Sequence, residues 1–380
     1  MTSAFFKGFF ALALFALAVL SSLGSSVGEA RADDRTVRVA FFNPQNADDP
    51  FWLPVERFMR AAANDLNMEV TTHVAGHNRA KMVEQVREVV MGADKPDFIV
   101  FKNFRGNAPE ILKIAELGGV KSFIFNAGLT AEERPEHGGP REHYRHWIGQ
   151  MLPGDELAGY NLAISLIKRA RDLNLTNGDG KIVMVGLTGT LSDTPAIERN
   201  KGLERALEES PDVVFQQLVP ARWDRAQAAQ KAEGLFRRYP DVAVMWAAND
   251  PMALGAVDAA ERVGLSPGKD FITGGVDWNP PALEAIRAGT MHTSIGGHFM
   301  EGGWVMVMLY DYVHGRDFAD DGGAARFSEM AGLTSLNLDK YLTKFLNENW
   351  DRVDFGKFSK VNNPALKSYD FSLDRILDQL

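Results

Sequence analysis

From residue 36 the chain alternates two kinds of segment. Short runs rich in β-branched and aromatic residues lie at 37–42, 68–74, 98–101, 122–125, 182–185, 213–219, 242–246, 271–276 and 293–295. Several are continuously apolar, the pattern of parallel strands covered on both faces. Between them, residues 51–66, 81–91, 108–117, 155–173, 196–207, 226–238, 252–263 and 281–288 carry apolar positions at i, i+3 and i+4. That spacing predicts helices with one buried face. Strand–helix alternation implies right-handed βαβ units and open, doubly wound parallel sheets. So many strands exceed one comfortable sheet, and two α/β lobes are expected. Residues 130–143 (TAEERPEHGGPREH) read as a long exposed loop, and 174–180 and 317–323 as turns. After Arg326 the alternation stops, and 327–380 reads as a tail of short helices and loops, including a helix over 338–349.

The first residues read as an address. Lys7, an apolar run over 9–20 and Ala30-Arg31-Ala32 form a secretory signal peptide over 1–32, with a soluble mature chain from Asp33. The run is short for a membrane span, which needs about 20 residues. The chain has no cysteine, which excludes disulfides, thiolate metal sites and cysteine nucleophiles. An exported protein without disulfides fits a bacterial periplasm. A net charge of −9 with no basic block argues against nucleic acid as a partner.

Candidate chemistry gathers where the strands end. The first strand leads to Asp49-Pro50-Phe51-Trp52, the fourth to Asn126, and later ones to Trp223, Asn249-Asp250, Asp277 and His298. Ligands bind at strand ends of open α/β sheets. Aromatic rings stack on sugar-like rings, and carboxylates, amides and Arg hydrogen-bond hydroxyls. Asp49, Asn249 and Asp277 equally suit helix caps. The Gly186-to-Asp193 segment lacks the Gly-Lys-Ser/Thr of a phosphate loop and the spaced glycines of a dinucleotide site. His73 and His77 lack a third metal ligand, and neither G-x-S-x-G nor H-E-x-x-H occurs. No catalytic residue, metal or cofactor is expected, and the protein is not read as an enzyme.

Asp49-Pro50-Phe51-Trp52, the segment from Asn249 to Ala256 (NDPMALGA) and Gly275-Val276-Asp277 resemble the type I periplasmic binding proteins of sugar transporters, ribose-binding proteins among them. The similarity runs over 36–316. A subgroup similarity, to LuxP-type autoinducer receptors, rests on Trp52, Asn126, Ser192-Asp193, residues 253–259, the loop before Trp147 and the extended tail. The lac-repressor family shares the fold, but a signal peptide and no N-terminal helix-turn-helix point away from a repressor.

The resemblance implies two doubly wound lobes joined by a three-strand hinge. One lobe would be 36–147 plus 297–326, the other 148–296, with 327–380 packed near the hinge. It implies ligand contacts from Asp49, Phe51, Trp52, Asn126, Arg199, Trp223, Asn249, Asp277 and His298. Trp52 and Trp223 would sandwich the ligand ring. Gly297 stands where ribose binders carry Gln, and Ala127 where they carry Arg, so ribose itself is not expected. Where the autoinducer receptors have Thr and Arg, this chain has Asn249 and Gly297, which removes the Arg that a borate ester would meet. The implied function is capture of a small hydroxylated ligand by a monomer that delivers it to a membrane ABC transporter permease. The alternative is a sensing subunit for a membrane histidine kinase or cyclase.

Overall fold

The computed structural model of the chain describes residues 35–345 and 350–379. The expected signal peptide lies outside the described residues.

The first stretch runs β1 (Val37–Asn43), α1 (Trp52–Asp65), β2 (Met68–Val74), α2 (Arg79–Met91), β3 (Phe98–Phe101), α3 (Ala108–Gly118), β4 (Lys121–Phe125), α4 (Arg134–His137) and β5 (Trp147–Pro153). The second runs α5 (Asp155–Asp172), β6 (Ile182–Thr188), α6 (Thr194–Glu208), β7 (Val213–Pro220), α7 (Arg225–Arg238), β8 (Val242–Ala247), α8 (Asp250–Val263), β9 (Ile272–Val276), α9 (Pro280–Ala288) and β10 (Thr293–Gly296). The chain continues through α10 (Glu301–Val313), β11 (Ala325–Ser328), β12 (Ala331–Thr334), α11 (Leu338–Phe345) and α12 (Leu373–Leu377). Every helix and strand expected over 36–296 is present, with ends shifted by up to three residues.

Two six-stranded sheets result. One has the order β11-β5-β4-β3-β1-β2, all parallel; the other has β12-β10-β9-β8-β6-β7, parallel except for the antiparallel edge strand β12. Each is the centre of one lobe. In both, the order reverses beside the lobe's first strand. The resulting switch points lie between β1 and β3 and between β6 and β8, where ligands of doubly wound folds bind.

Three connections join the lobes: β5 to α5, β10 to α10, and β11 to β12. β5 lies wholly in the first sheet, so the first crossing follows Pro153, and the expected boundary at 147/148 cuts through a strand. The tail also differs from its expected form. Its first residues form β11 and β12, one edge strand on each sheet. Its later residues pack on the first lobe. Phe58 of α1 meets Trp304, Phe355 and Trp350 at ring-centroid distances of 5.3, 5.1 and 5.2 Å. Trp304 stacks on Phe371 at 4.8 Å. Buried Asp311 accepts hydrogen bonds from the Ser359 and Tyr369 hydroxyls and from the Lys360 backbone N–H. The loop over 130–143 is pinned rather than free. It contains α4, its His137 is buried, and Arg141 binds Asp317 through two hydrogen bonds of 2.6 and 2.8 Å.

Candidate functional site

The carboxyl ends of both sheets face one cavity of about 550 Å³. All nine residues expected at a ligand site line it: Asp49, Phe51, Trp52, Asn126, Arg199, Trp223, Asn249, Asp277 and His298. The volume is ordinary for a small-molecule site. Six of the ten non-glycine residues with positive φ among the described residues also line it: His77, Arg105, Asn126, Arg222, Trp223 and Asp277. Backbone held in sparsely populated regions concentrates at ligand sites, because the surrounding structure must over-determine it.

From the first lobe come the loop before α1 and the residues after β3 and β4. Asp49 Oδ1 accepts from the backbone N–H groups of Phe51 and Trp52, both at 3.0 Å, so it caps α1 while lining the cavity. Burial nevertheless raises its pKa, and the two N–H bonds oppose that rise. Trp52 is only 3% exposed. Its ring packs against Phe41, Phe51 and Phe125 at 6.1, 5.2 and 5.8 Å, the last two edge to face. These neighbours take up its surface, so Trp52 forms the floor of the site rather than one side of a sandwich. The half-buried rings are Phe51 and Trp223.

From the second lobe comes a buried polar wall. Arg199, on α6, is 3% exposed; its Nε donates to Asp155 Oδ1 at 2.7 Å and its Nη1 to the Ala248 carbonyl at 2.6 Å. The same Nη1 lies 3.7 Å from Asp277 Oδ1, and His298 Nε2 lies 3.5 Å from that oxygen. Burial raises the Asp155 carboxyl, opposed by the Arg199 charge. Burial also lifts Asp277 well above the usual carboxylate range, again against Arg199. His298 is driven well below its ordinary value by burial and then by Arg199, so it is a neutral imidazole. It stacks on Phe51 at 4.7 Å, and its Nδ1 is buried without a partner.

The capping roles divide. Asn249 does cap α8, accepting from the Met252 N–H at 3.0 Å, and its Nδ2 donates to the Trp223 carbonyl at 3.4 Å. Asp277 caps nothing. The neighbouring Asn279 N–H donates instead to Asp250 Oδ2 at 2.9 Å, and the Ser294 hydroxyl donates to both Asp250 oxygens. Asp250 is thus the structural acid and Asp277 the one left facing the cavity.

The expected ligand contacts do not include Asp155, Asp193 or Lys102, although Lys102 stands at the end of the third strand and Ser192-Asp193 carries part of the subgroup similarity. Asp155 reads only as a helix start. Lys102 follows four consecutive apolar residues of β3, and that run is the signal that its ammonium emerges at a buried strand end.

Trp223 is set by a close approach. Its ring lies over Gly189, where a Cβ would fall 2.0 Å from the nearest ring atom, and its indole N–H donates to Asp193 Oδ2 at 3.0 Å. Gly189→Ala should displace the indole and free Asp193. We expect an affinity loss of about tenfold or more with little change in melting temperature, read by calorimetric titration beside a thermal melt. Unaltered affinity would remove Trp223 from the site.

A family model described as a periplasmic binding protein domain matches residues 39–317. The chain belongs to the periplasmic binding protein family. A solved periplasmic sugar-binding protein from Pseudomonas fluorescens is similar to this binding protein, with 35% identity and a TM-score of 0.81 over 90% of this chain and 99% of that one. The xylitol-binding protein of Mycolicibacterium smegmatis is 23% identical over 362 residues, 95% of this chain and 94% of the relative. The ribose import binding protein of Salmonella typhimurium is 31% identical over 250 residues, 65% of this chain and 75% of the relative. The family binds solutes rather than converting them. No helix among the described residues is long and apolar enough to cross a membrane.

Proposed function

We propose that this protein captures a neutral polyhydroxylated molecule, a sugar or polyol, between its lobes in the periplasm and presents it to a membrane ABC transporter. The observation that carries this reading is the cavity. It joins the switch points of two sheets and mixes half-buried rings with carboxylates, amides and a neutral imidazole. Phe51 and Trp223 offer faces for a ring or carbon chain. Asn126, Asn249, Asp277, Asp49 and His298 offer hydrogen bonds to its hydroxyls, with Trp52 beneath them. Arg199 holds Asp277 and Asp155 in place. The names of the relatives, which bind xylitol and ribose, support the same ligand class.

A ligand that binds only the folded, closed form must stabilise it by mass action and favour closure by its differential affinity. Xylitol, D-ribose, D-allose, L-arabinose and myo-inositol are suitable probes. At 100 times its Kd, a bound probe should add about 2.7 kcal/mol of stability. The same probe should shrink the radius of gyration in small-angle scattering as the lobes close. No stabilisation by any of these probes, or saturation without contraction, would count against capture by closure.

A further inference from the structure

Two charged groups on the cavity are only partly used by the residues around them. Lys102 follows β3, at the first sheet's switch point; Asp193 precedes α6, at the second's. Lys102 is 7% exposed, yet its ammonium makes no hydrogen bond or ion pair among the described residues. It stands 5.6 Å from the centroid of the Trp52 ring. Asp193 is 5% exposed; Trp223 holds its Oδ2, while Oδ1 is buried without a partner. The two residues come from opposite lobes. Asp193 is the largest charge acting on Lys102, but the pair does not close to the 4.0 Å of an ion pair.

A carboxylate oxygen buried without a partner costs free energy, and so does an ammonium withdrawn from water with only an aromatic face beneath it. Burial accordingly lowers the Lys102 pKa from its ordinary 10.5, against the pull of Asp193. The other buried cation does not relieve Asp193: Arg199 turns Nε to Asp155, Nη1 to the Ala248 carbonyl and Nη2 to His298 at 3.5 Å.

We propose that one hydroxyl of the captured ligand bridges this gap, accepting from Lys102 Nζ and donating to Asp193 Oδ1, so that the pair selects that hydroxyl and latches the lobes upon it. The proposal rests on the capture of a sugar or polyol argued above. Only a group that is both donor and acceptor fits. A carboxylate would accept from Lys102 but has no proton for Asp193, and any anion would also face Asp49 and Asp277. An amine would satisfy Asp193 but repel Lys102.

The test is calorimetric titration of wild type, Lys102→Met, Asp193→Asn and the double variant with the five neutral probes named above, and with xylonate as a charged arm. Asp193→Asn keeps an oxygen for the Trp223 indole but turns an amide donor toward the ligand. For the probe that wild type binds best, each single variant should weaken binding about tenfold or more. The double variant should be no weaker than the worse single one, since both act on the same hydroxyl. Ligand-free Lys102→Met should melt no lower than wild type, because the desolvation of its ammonium outweighs the Trp52 face and the distant carboxylates that it loses. Wild-type affinity in Lys102→Met, or losses that multiply in the double variant, would overturn the latch. So would preference for xylonate over xylitol that Lys102→Met abolishes, which marks an anion seat. Wild type that binds none of the probes would overturn the capture reading and the latch with it.

Discussion

Arg199→Ala is expected to cost about 3–5 kcal/mol of folding stability, beyond any loss of affinity, because it leaves a buried carboxylate without its cation. This guanidinium borders the cavity but is almost closed off from solvent. It is 3% exposed and makes its shortest bonds to Asp155 and the Ala248 carbonyl, with Asp277 at 3.7 Å. Removing it strands Asp155, whose carboxyl burial already pushes upward, and opens the carbonyl end of β8. Arg199→Lys should recover only part of the loss. A single ammonium cannot span Asp155 and the carbonyl as the planar fork does. Urea unfolding of the ligand-free variants measures both. A loss below about 1 kcal/mol in Arg199→Ala would mean that water in the cavity screens Asp155 and that the polar wall is not dry.

The second large effect concerns pH. Asp250 is fully buried behind the site, and burial raises its carboxyl from 3.8 to about 7, opposed by the Ser294 hydroxyl and the Asn279 N–H. Asp277, beside it, is raised as well, in part by the Asp250 charge. The folded state therefore holds protons that the unfolded chain has released. Stability from this source is fully present below about pH 4, falls as pH rises, and is lost above about pH 7. For a displacement of this size the loss is about 4 kcal/mol. Asp250→Asn keeps an oxygen for Ser294 and Asn279 but carries no titrating proton. The stability of wild type relative to Asp250→Asn should thus decline between pH 4 and pH 7, measured by urea midpoints at several pH values. A constant difference across that range would show that Asp250 ionises as an ordinary carboxylate. Comparing the two proteins cancels the carboxylates that they share, except Asp277, which the Asp250 charge no longer raises in the variant.

The periodic part of the fold was legible in the sequence because each element obeys one rule over its own length. β3 and β8 are apolar throughout since helices cover both faces, and α1 and α6 show a clean apolar stripe. Elements that broke such rules escaped. Residues 301–313 (EGGWVMVMLYDYV) form α10, but a helix buried nearly all round has no polar face and so no 3.6-residue period. β11 and β12 are four residues each and owe their state to sheet edges supplied by distant residues of the chain. Among the site residues, Asp49, Asn126, Asn249 and Asp277 were visible because strand ends are legible.

By itself, the sequence determined the alternation of strands and helices, and hence two doubly wound sheets and the loops at their carboxyl ends. Which side chains in those loops face the cavity was decided only in three dimensions. Asp250 and Asp277 look alike as strand-end acids, yet one is consumed by Ser294 and Asn279 and the other faces the cavity. Trp52 and Trp223 look like a matched pair, yet aromatic neighbours bury the first, and a glycine beneath the second lets it hold Asp193. Lys102 and Asp193 lie far apart along the chain, and only the approach of the two lobes sets them on one cavity. The physical reason is the same in each case. Periodicity is written into neighbours along the chain, whereas burial and hydrogen-bond partners depend on residues that the fold brings from elsewhere.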